Sequence, residues 1–328
     1  MEMVNILVTR DIGEELLDSI RAISPRVKLW DVTDLVREER EENVTLSELD
    51  VVLAEAEVMF GLTFPKNVTA RAPRLKWIQV AATGIDSMDP GTIAGPATVT
   101  NARGMHETSV SEYALALMLA FVKQLPSILH FQQSKQWERL TPSMLRSRTV
   151  GVVGLGRIGR EVARLSRAFG MRVIATRRSA TEGRRARNVD VLLPPEKLRQ
   201  LLRESDFVVL CVPLTAENEK MLGEAELRAM KPTAYLINVA RGQVTDEDAV
   251  VRALREKWIT GAGVDVFGEE PLPPDSPLWD APNIILSAHV SGRMADYDMR
   301  ATELFCENLK RYLNGKRLIN VVDKKKGY

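Results

Sequence analysis

Cysteine and long apolar runs are both scarce in this chain of 328 residues. The two cysteines, Cys211 and Cys306, stand apart, one in an apolar strand-like run and one in a helical pattern. They indicate neither a disulfide framework nor a metal cluster, and a reducing cytoplasm is the expected compartment. No uninterrupted apolar run approaches the ~20 residues needed to span a bilayer, and the opening MEMVNILVTR lacks a basic segment followed by an apolar one. We expect a soluble protein without a membrane partner.

Net charge is also nearly absent. The chain has 45 Lys and Arg residues against 44 Asp and Glu residues, which leaves a formal charge of +1. This balance gives no overall electrostatic footprint for nucleic acid and favours a small-molecule partner. Because the length exceeds the usual size of one domain and 45% of the residues are hydrophobic, we expect two domains.

Short apolar runs alternate with helical patterns along the chain. The first run, VNILVTR, is followed by helical spacing at Leu16, Leu17 and Ile20. Later runs are apolar without strict alternation, which is typical of a parallel sheet covered on both faces and predicts an α/β fold. These later runs are TVGVVGLG, RVIATR, DFVVLCV, AYLINVA, TGAGVDV and NIILSAHV.

Two long helices are predicted. From Ser109 to Gln133, apolar residues recur around more than one helical face, which indicates a long, well-buried helix at a domain crossover or a subunit contact. A final helix from about Ala295 to Leu313 follows the last strand and is expected to return to the first domain. The polar stretch SATEGRRARN is expected to form a loop, and the lysines of the terminal DKKKGY a solvated tail.

The segment GVVGLGRIGR contains a GxGxxG pattern. Gly154, Gly156 and Gly159 lie between the strand-like TVGVV and the helical REVARLSRAF. Glycines there permit a tight turn and close approach of the backbone, so that a pyrophosphate can bind at the helix N-terminus, near Arg157 and Ile158. The pattern predicts a dinucleotide site, and the alternative is a merely tight turn between strand and helix.

The next strand ends in Thr176, Arg177 and Arg178. NAD-binding folds usually place an acidic residue in this region to accept hydrogen bonds from the ribose 2′-hydroxyl. A carboxylate would repel a 2′-phosphate, whereas a hydroxyl followed by guanidinium groups can donate to it. We therefore predict a preference for NADP(H), with NAD(H) still open. The alternative is a solvated basic loop continuous with Arg184, Arg185 and Arg187.

Only three histidines can supply a general acid near neutral pH. His106 precedes the long helix, and His130 lies inside it, where a structural or surface role is expected. His289 follows the apolar run NIILSA, at the carboxyl end of a predicted strand of the nucleotide-binding sheet. Ligands bind at that edge in such folds, which favours His289 as the acid.

Two other strand ends carry polar groups. Arg241 follows AYLINVA, and GAGVDVFGEEPL supplies Asp265, Glu269 and Glu270. A guanidinium fork suits a substrate carboxylate, and a carboxylate beside an imidazole favours its protonated form. Each residue also has an ordinary alternative: Arg241 as a turn cap, Glu270 as a solvated carboxylate and His289 as a core histidine.

Five ordered motifs carry a family resemblance. The segments GVVGLGRIGREVARLSRAFGMRVIA, CVPLTAENEKML, AYLINVARGQVTDEDAV, GAGVDVFGEEPLP and NIILSAHVSG together resemble the D-isomer-specific 2-hydroxyacid dehydrogenases. The resemblance implies two Rossmann-like domains: a doubly wound nucleotide-binding domain over residues 102–292, inserted in a flavodoxin-like substrate domain made of residues 1–101 and 293–328. It also implies an active site in the cleft between them.

The resemblance further implies roles for single residues. Arg241 would hold the substrate carboxylate, His289 would be the acid/base, and Glu270 would pair with it. The loop VAATGIDSMD looks like the family's substrate loop, whose backbone N–H groups at Thr83 and Gly84 would also receive the carboxylate. The remaining matches concern the cofactor: Asp265 would orient the nicotinamide carboxamide, with Val212 and Pro213 as the wall beside the adenosine.

Some positions depart from the family pattern. Ala288 stands where proline is commoner before the histidine, and the glycine-rich substrate loop carries Ala81, Ala82 and Thr83. The ribose position lacks its acidic residue, and in this the chain resembles glyoxylate/hydroxypyruvate reductases. The leading expectation is therefore a small 2-oxoacid/2-hydroxyacid pair with NADP(H). The alternatives are an NAD(H)-dependent D-lactate-type or phosphoglycerate dehydrogenase, and a dinucleotide-sensing corepressor-like protein. The resemblance also implies a homodimer, with residues 109–137 as the contact; the alternative is that this helix packs only within its own chain. Whether Trp137 reaches a neighbouring subunit's site stays open.

Overall fold

The computed structural model describes residues 2–85, 88–181 and 184–324. It divides into two compact units, one of residues 1–105 and 294–328 and the other of residues 106–293. Asp86, Ser87, Glu182 and Gly183, which belong to the predicted substrate loop and polar loop, lie outside the described residues, as do the last lysines of the tail.

The first unit contains a five-stranded parallel sheet in the order β2-β1-β3-β4-β5. This is the strand order of flavodoxin-like folds. The strands are β1 (Val4–Val8), β2 (Val27–Asp31), β3 (Val58–Gly61), β4 (Trp77–Val80) and β5 (Thr98–Thr100). The helices are α1 (Glu14–Arg21), α2 (Thr33–Glu41), α3 (Ser47–Glu55), α4 (Val68–Arg71), α5 (Pro90–Ala94) and α12 (Tyr297–Leu313).

Both faces of this sheet are covered. Side chains alternate along a strand, so Ile6 and Val8 of β1 enter one apolar cluster while Leu7 enters the other. The last helix, α12, packs on the first of these faces, where Phe305 stacks on Phe60 with ring centroids 4.4 Å apart. The apolar runs of the sequence are therefore explained by burial on two sides.

The second unit contains a seven-stranded parallel sheet in the order β12-β11-β10-β9-β6-β7-β8. The strands are β6 (Thr149–Val153), β7 (Arg172–Thr176), β8 (Val191–Leu193), β9 (Phe207–Leu210), β10 (Tyr235–Asn238), β11 (Gly261–Val264) and β12 (Ile284–Leu286). The α-helices are α6 (Glu107–Val122), α7 (Leu125–Gln133), α8 (Arg157–Ala168), α9 (Leu198–Glu204), α10 (Glu224–Leu227) and α11 (Glu247–Arg255), with 3₁₀ turns at Pro195–Lys197 and Gly242–Val244.

This sheet is doubly wound. In β9, Phe207 and Val209 enter the cluster with α6 and α8, whereas Val208 and Leu210 enter the cluster with α11. The order reverses at β6, where the chain crosses from one half of the sheet to the other. The predicted fold class, two parallel-sheet α/β domains of which one is inserted in the other, is confirmed.

The prediction of a single long helix over Ser109–Gln133 is wrong. The chain forms α6 and α7, separated at Gln124, which has a left-handed φ of 55°. Pro126 explains the break, because it has no N–H to donate and its ring would clash with the carbonyl of the residue four before it. Moreover, α6 is largely buried, while every residue of α7 is at least partly exposed.

No single helix within the described residues is long and apolar enough to cross a bilayer. Only α6 and α7 together pass that test, and they are bent by 63° at their junction.

Candidate active site

The glycine loop lies at the carboxyl end of β6, at the point where the strand order reverses. Gly154 has a φ of 97°, and a Cβ there would lie 2.7 Å from Cγ1 of Val212. A Cβ on Gly159 would lie 2.1 Å from the Gly154 carbonyl oxygen, whereas one on Gly156 would meet nothing within 4 Å. Two glycines thus permit close packing, and the third leaves open space before α8 begins at Arg157.

The start of α8 fits a dinucleotide pyrophosphate. The first N–H groups of an α-helix have no acceptor within the helix, and Gly156, at the N-cap, offers no side chain to them. These groups and the helix dipole favour an anion. Ile158 packs into the core beneath, which holds the first turn in place. Arg157 forms an exposed pair with Glu107 at 3.4 Å.

Thr176 organises the glycine loop from the neighbouring strand. Its Oγ1 accepts a hydrogen bond from the Gly154 N–H at 3.2 Å, and its carbonyl accepts one from the Leu155 N–H at 2.8 Å. Only 5% of the residue is exposed. The predicted contact of this hydroxyl with a 2′-phosphate remains a prediction, but its contact with the loop is a second reason for a short hydroxylated side chain here.

Two guanidinium groups follow Thr176 beyond the end of β7. Arg177 is partly buried and donates its backbone N–H to the Leu193 carbonyl at 3.1 Å. Arg178 lies 3.9 Å from the Glu217 carboxylate, with side chains 59% and 83% exposed. Such an exposed pair contributes little stability, so Arg178 can exchange this partner for a more highly charged anion at small cost.

Val212 and Pro213 are predicted to form the wall beside the adenosine. Pro213 is exposed, and its carbonyl accepts a hydrogen bond from the Asn218 side-chain amide. The Val212 side chain lies against Gly154, which places Val212 beside the glycine loop, and Pro213 follows it in the chain.

His289 and Glu270 form a hydrogen-bonded pair. Nδ1 of His289 lies 2.7 Å from Oε2 of Glu270, and Oε1 of Glu270 accepts a hydrogen bond from the Phe267 N–H at 3.0 Å. The side chains are 44% and 36% exposed. Within the described ranges, the other ring nitrogen, Nε2, has no hydrogen-bond partner. The pair therefore orients the imidazole while leaving a ring nitrogen open to a ligand.

Asp265 holds the turn that carries His289. This carboxylate is fully buried. Oδ1 accepts hydrogen bonds from Ser287 Oγ at 2.6 Å and from the Val290 N–H at 2.9 Å, and Oδ2 accepts one from the Ser291 N–H at 2.9 Å. Its carbonyl accepts the His289 N–H at 2.8 Å. Asp265 thus anchors the turn, a contact that the sequence did not reveal, and its predicted role toward the carboxamide remains a prediction.

Arg241 follows β10 and begins a 3₁₀ turn. Its Nη1 donates to the Ala240 carbonyl at 2.7 Å. A Cβ on the next residue, Gly242, would lie 1.9 Å from the carbonyl carbon of Phe267 and 2.2 Å from the nitrogen of Gly268. Only glycine permits this approach, which brings the Arg241 turn against the loop that leads to Glu270.

His106 lies closer to this site than its place in the sequence indicated. It precedes α6, is 9% exposed, and its Cδ2 would lie 3.1 Å from a Cβ on Gly292. Burial lowers the pKa of His106, and the charge of Arg241 lowers it further against the opposing effect of Glu107. Burial and the nearby charge of Arg241 thus both disfavour the charged form of the His106 imidazole. No local pattern could have shown this, because both contacts are distant along the chain.

Thr83 and Gly84 lie in the first unit, just beyond β4. The loop leaves the strand through Ala81, whose N–H donates to the Gly61 carbonyl at 2.8 Å. The Thr83 carbonyl accepts a hydrogen bond from the Asn101 side-chain amide at 2.7 Å. The loop is thus ordered by contacts within its own unit.

A doubly wound sheet with an open glycine loop at its switch point defines a dinucleotide-binding α/β protein. The sequence profile described as "D-isomer specific 2-hydroxyacid dehydrogenase, NAD binding domain" matches residues 115–291. The glyoxylate reductase of Aeropyrum pernix is 34% identical over 99% of this chain and 97% of its own length.

Solved structures agree. A D-isomer specific 2-hydroxyacid dehydrogenase family protein from Aeromonas salmonicida superposes with a TM-score of 0.86 and 26% identity, covering 98% of this chain and 100% of its own. An NADPH-dependent glyoxylate/hydroxypyruvate reductase from Sinorhizobium meliloti, solved with NADP and malonate, superposes with a TM-score of 0.81 and 26% identity. This match covers 99% of this chain and 98% of the other. The chain belongs to the D-isomer-specific 2-hydroxyacid dehydrogenases, which are NAD(P)-dependent oxidoreductases acting on CH–OH groups.

Proposed function

We propose that this protein is an NADP(H)-dependent reductase of small 2-oxoacids, with glyoxylate or hydroxypyruvate as its substrate. The observation that carries the proposal is the pairing of His289 with Glu270 at 2.7 Å, on a turn that Asp265 holds rigid. An exposed imidazole with a fixed orientation suits proton transfer to a carbonyl oxygen. The relatives named glyoxylate reductase support the substrate class.

The side chains after β7 support NADP(H) over NAD(H). Arg177 and Arg178 stand where an acidic residue would bind an unphosphorylated ribose. Arg178 forms a weak surface pair with Glu217, so a 2′-phosphate can replace that carboxylate. When bound, the nicotinamide supplies the hydride.

Three side chains of the protein bind the substrate and transfer the proton. Arg241 pairs with the substrate carboxylate and orients the 2-oxoacid, and Nε2 of His289 donates a proton to the carbonyl oxygen as that oxygen gains charge. Glu270 keeps Nδ1 as the bonded nitrogen and stabilises the charged imidazolium. In the oxidative direction, His289 takes the proton back from the hydroxyl group.

The test is the initial rate of glyoxylate and hydroxypyruvate reduction with NADPH and with NADH at matched concentrations. We expect turnover of at least one substrate and a clear preference for NADPH. Turnover with a preference for NADH would support the assignment as a dehydrogenase. It would also show that the arginines belong to a solvated loop and do not select NADP(H). Binding of NADPH without turnover of any 2-oxoacid would favour a dinucleotide sensor.

We also propose a homodimer in a reducing cytoplasm. The helix α7 and the segment after it expose large apolar side chains, including Leu125, Leu129, Met144 and Trp137, which is 89% exposed. Sedimentation equilibrium should give a dimer for the wild type and a monomer for Leu129→Glu. The control, Val51→Glu, changes an exposed apolar residue of the first unit and should remain dimeric.

A further inference from the structure

Three consecutive peptide groups of the loop after β4 have their carbonyl oxygens held by hydrogen bonds. All the donors belong to the same compact unit. The bonds are Tyr297 Oη to the Ala81 oxygen at 2.6 Å, the Ala102 N–H to the Ala82 oxygen at 2.8 Å, and Asn101 Nδ2 to the Thr83 oxygen at 2.7 Å.

These bonds also determine where the loop's N–H groups point. A trans peptide is planar, so its N–H points away from its own carbonyl oxygen. In an extended strand, successive carbonyls point to opposite sides. Here the Ala82 and Thr83 carbonyls are both bonded to the segment Asn101–Ala102, so the N–H groups of Thr83 and Gly84 both point away from it. Successive N–H groups on one side form an anion-binding concavity.

Asn101 is itself firmly placed. It is 1% exposed, and its backbone N–H donates to the Asn320 carbonyl at 3.2 Å. Its Oδ1 accepts the Arg103 N–H at 3.3 Å, an arrangement that directs Nδ2 at Thr83. On the opposite side of the loop, the Gly84 N–H has no acceptor among residues 2–85, 88–181 and 184–324. In the Thr83–Gly84 peptide, the carbonyl oxygen is bonded to Asn101 and the N–H is available to a ligand.

We propose that Asn101 and Tyr297 are positioning residues for the carboxylate of a 2-oxoacid: Asn101 holds the peptide whose N–H belongs to Gly84, and Tyr297 fixes the start of the same loop at the Ala81 carbonyl. They act on the substrate only through the peptide groups of the loop. The inference rests on the proposed function, because it assigns this loop a share of substrate binding. It adds that the loop is arranged before substrate arrives, so that no binding energy is needed to order it.

Two variants and two matched controls test the inference. Tyr297→Phe removes one hydroxyl, and Asn101→Ala removes one amide. The controls change the same residue types in the same unit: Tyr312→Phe loses a hydrogen bond to Glu57 from the other end of α12, and Asn308→Ala loses bonds to Gln79 and Ile319.

We expect each test variant to raise KM for glyoxylate by about five- to tenfold, the scale of one lost hydrogen bond. The kcat should change little, and the dissociation constant of NADPH, measured by fluorescence, should stay the same. The controls should keep the wild-type KM. An unchanged KM in both test variants, or an equal rise in the controls, overturns the inference. Tyr297→Phe keeps the test available if Asn101→Ala does not fold.

A separate measurement distinguishes this inference from the proposed function. If the wild type reduces no 2-oxoacid, the proposed function fails, and calorimetry of oxamate binding to the NADPH-saturated protein replaces the kinetics. Weaker oxamate binding by both test variants than by the wild type and the controls supports the carboxylate cradle. Equal binding, or no binding by the wild type, overturns it.

Discussion

Nδ1 of His289 and Oε2 of Glu270 lie 2.7 Å apart, although the two residues are 19 positions apart in the sequence. Each lies in the loop that follows a strand of the same sheet, Glu270 after β11 and His289 after β12. The second oxygen of Glu270 accepts the Phe267 N–H, so the carboxylate cannot turn away from the imidazole without losing that bond. The pair is therefore oriented from the protein side.

Replacing Glu270 tests this orientation. Glu270→Gln keeps the size of the side chain and removes its charge, so the charged imidazolium loses its counterion. We expect kcat for 2-oxoacid reduction to fall by about 10- to 100-fold with little change in KM for NADPH. Glu269→Gln, which changes the neighbouring exposed carboxylate, should behave like the wild type. Similar losses in both variants would contradict a specific role for Glu270.

Removal of His289 should have the largest effect on catalysis. In His289→Ala the carbonyl oxygen has no proton donor, and kcat should fall by about 100-fold or more. Binding of NADPH, followed by fluorescence titration, should be retained. His130→Ala, at an exposed position of α7, is the matched control. Turnover like that of the wild type in His289→Ala would refute its assignment as the acid.

Arg241 should govern productive binding of the 2-oxoacid. Arg241→Ala removes the fork that pairs with the carboxylate, and we expect KM for glyoxylate to rise by about tenfold or more. The exposed Arg255 on α11 supplies the control variant, Arg255→Ala. An unchanged dependence of rate on glyoxylate concentration in Arg241→Ala would place the carboxylate elsewhere.

The arginines after β7 should discriminate between cofactors. Loss of the guanidinium in Arg178→Ala should raise KM for NADPH by about tenfold and leave KM for NADH nearly unchanged, because only NADPH carries the 2′-phosphate. Arg177→Ala should act in the same direction. The comparison variant is Arg185→Ala, at an exposed position farther along the loop. Equal effects on both cofactors would show that the arginines do not bind the phosphate.

A buried ion pair should make stability depend on pH. Glu39 is 1% exposed and accepts two hydrogen bonds from Arg71 at 2.7 Å. Burial alone would raise the pKa of Glu39, but the bonds from Arg71 and the Leu46 N–H outweigh it and lower the pKa below 4.5.

The sign of the effect follows from linkage. Because the folded pKa is lowered, the stabilisation is fully present above pH 4.5 and is lost as the pH falls through the folded value. Because Arg71 keeps its hydrogen bond to Asp50, Glu39→Gln should lower the free energy of unfolding by about 1–3 kcal/mol at pH 7 and by less in acid. Urea unfolding at several pH values measures this, with exposed Glu38→Gln as the control. A constant difference across pH would contradict the pair's role.

Much of the fold was predictable because its signals are local. Apolar runs such as DFVVLCV indicate buried parallel strands, and three glycines between a strand and a helix indicate a tight phosphate-binding turn. The break between α6 and α7 also had a local signal in Pro126, which the strong apolar periodicity on either side obscured. The exposure of α7 had no local signal, because an apolar helix has the same sequence pattern whether or not the rest of its chain covers it.

The candidate site was predictable only in part. The residue types at the strand ends indicated an acid, a carboxylate and a carboxylate-binding arginine. Their supporting contacts were not visible, since Asp265 meets Ser287, and Asn101 meets Thr83, only after the sheets have formed. The lowered pKa of His106 likewise depends on burial and on Arg241, which no pattern near His106 reveals.

By itself, the sequence determined the order of strands and helices, the glycine loop and the set of polar groups at the strand ends, since each depends on neighbours along the chain. Only the tertiary structure decided which of these groups meet. Glu269 and Glu270 are adjacent and chemically alike, yet only Glu270 reaches His289. The reason is physical: the Phe267 N–H holds the Glu270 carboxylate and Asp265 holds the His289 turn, so that the two side chains face each other.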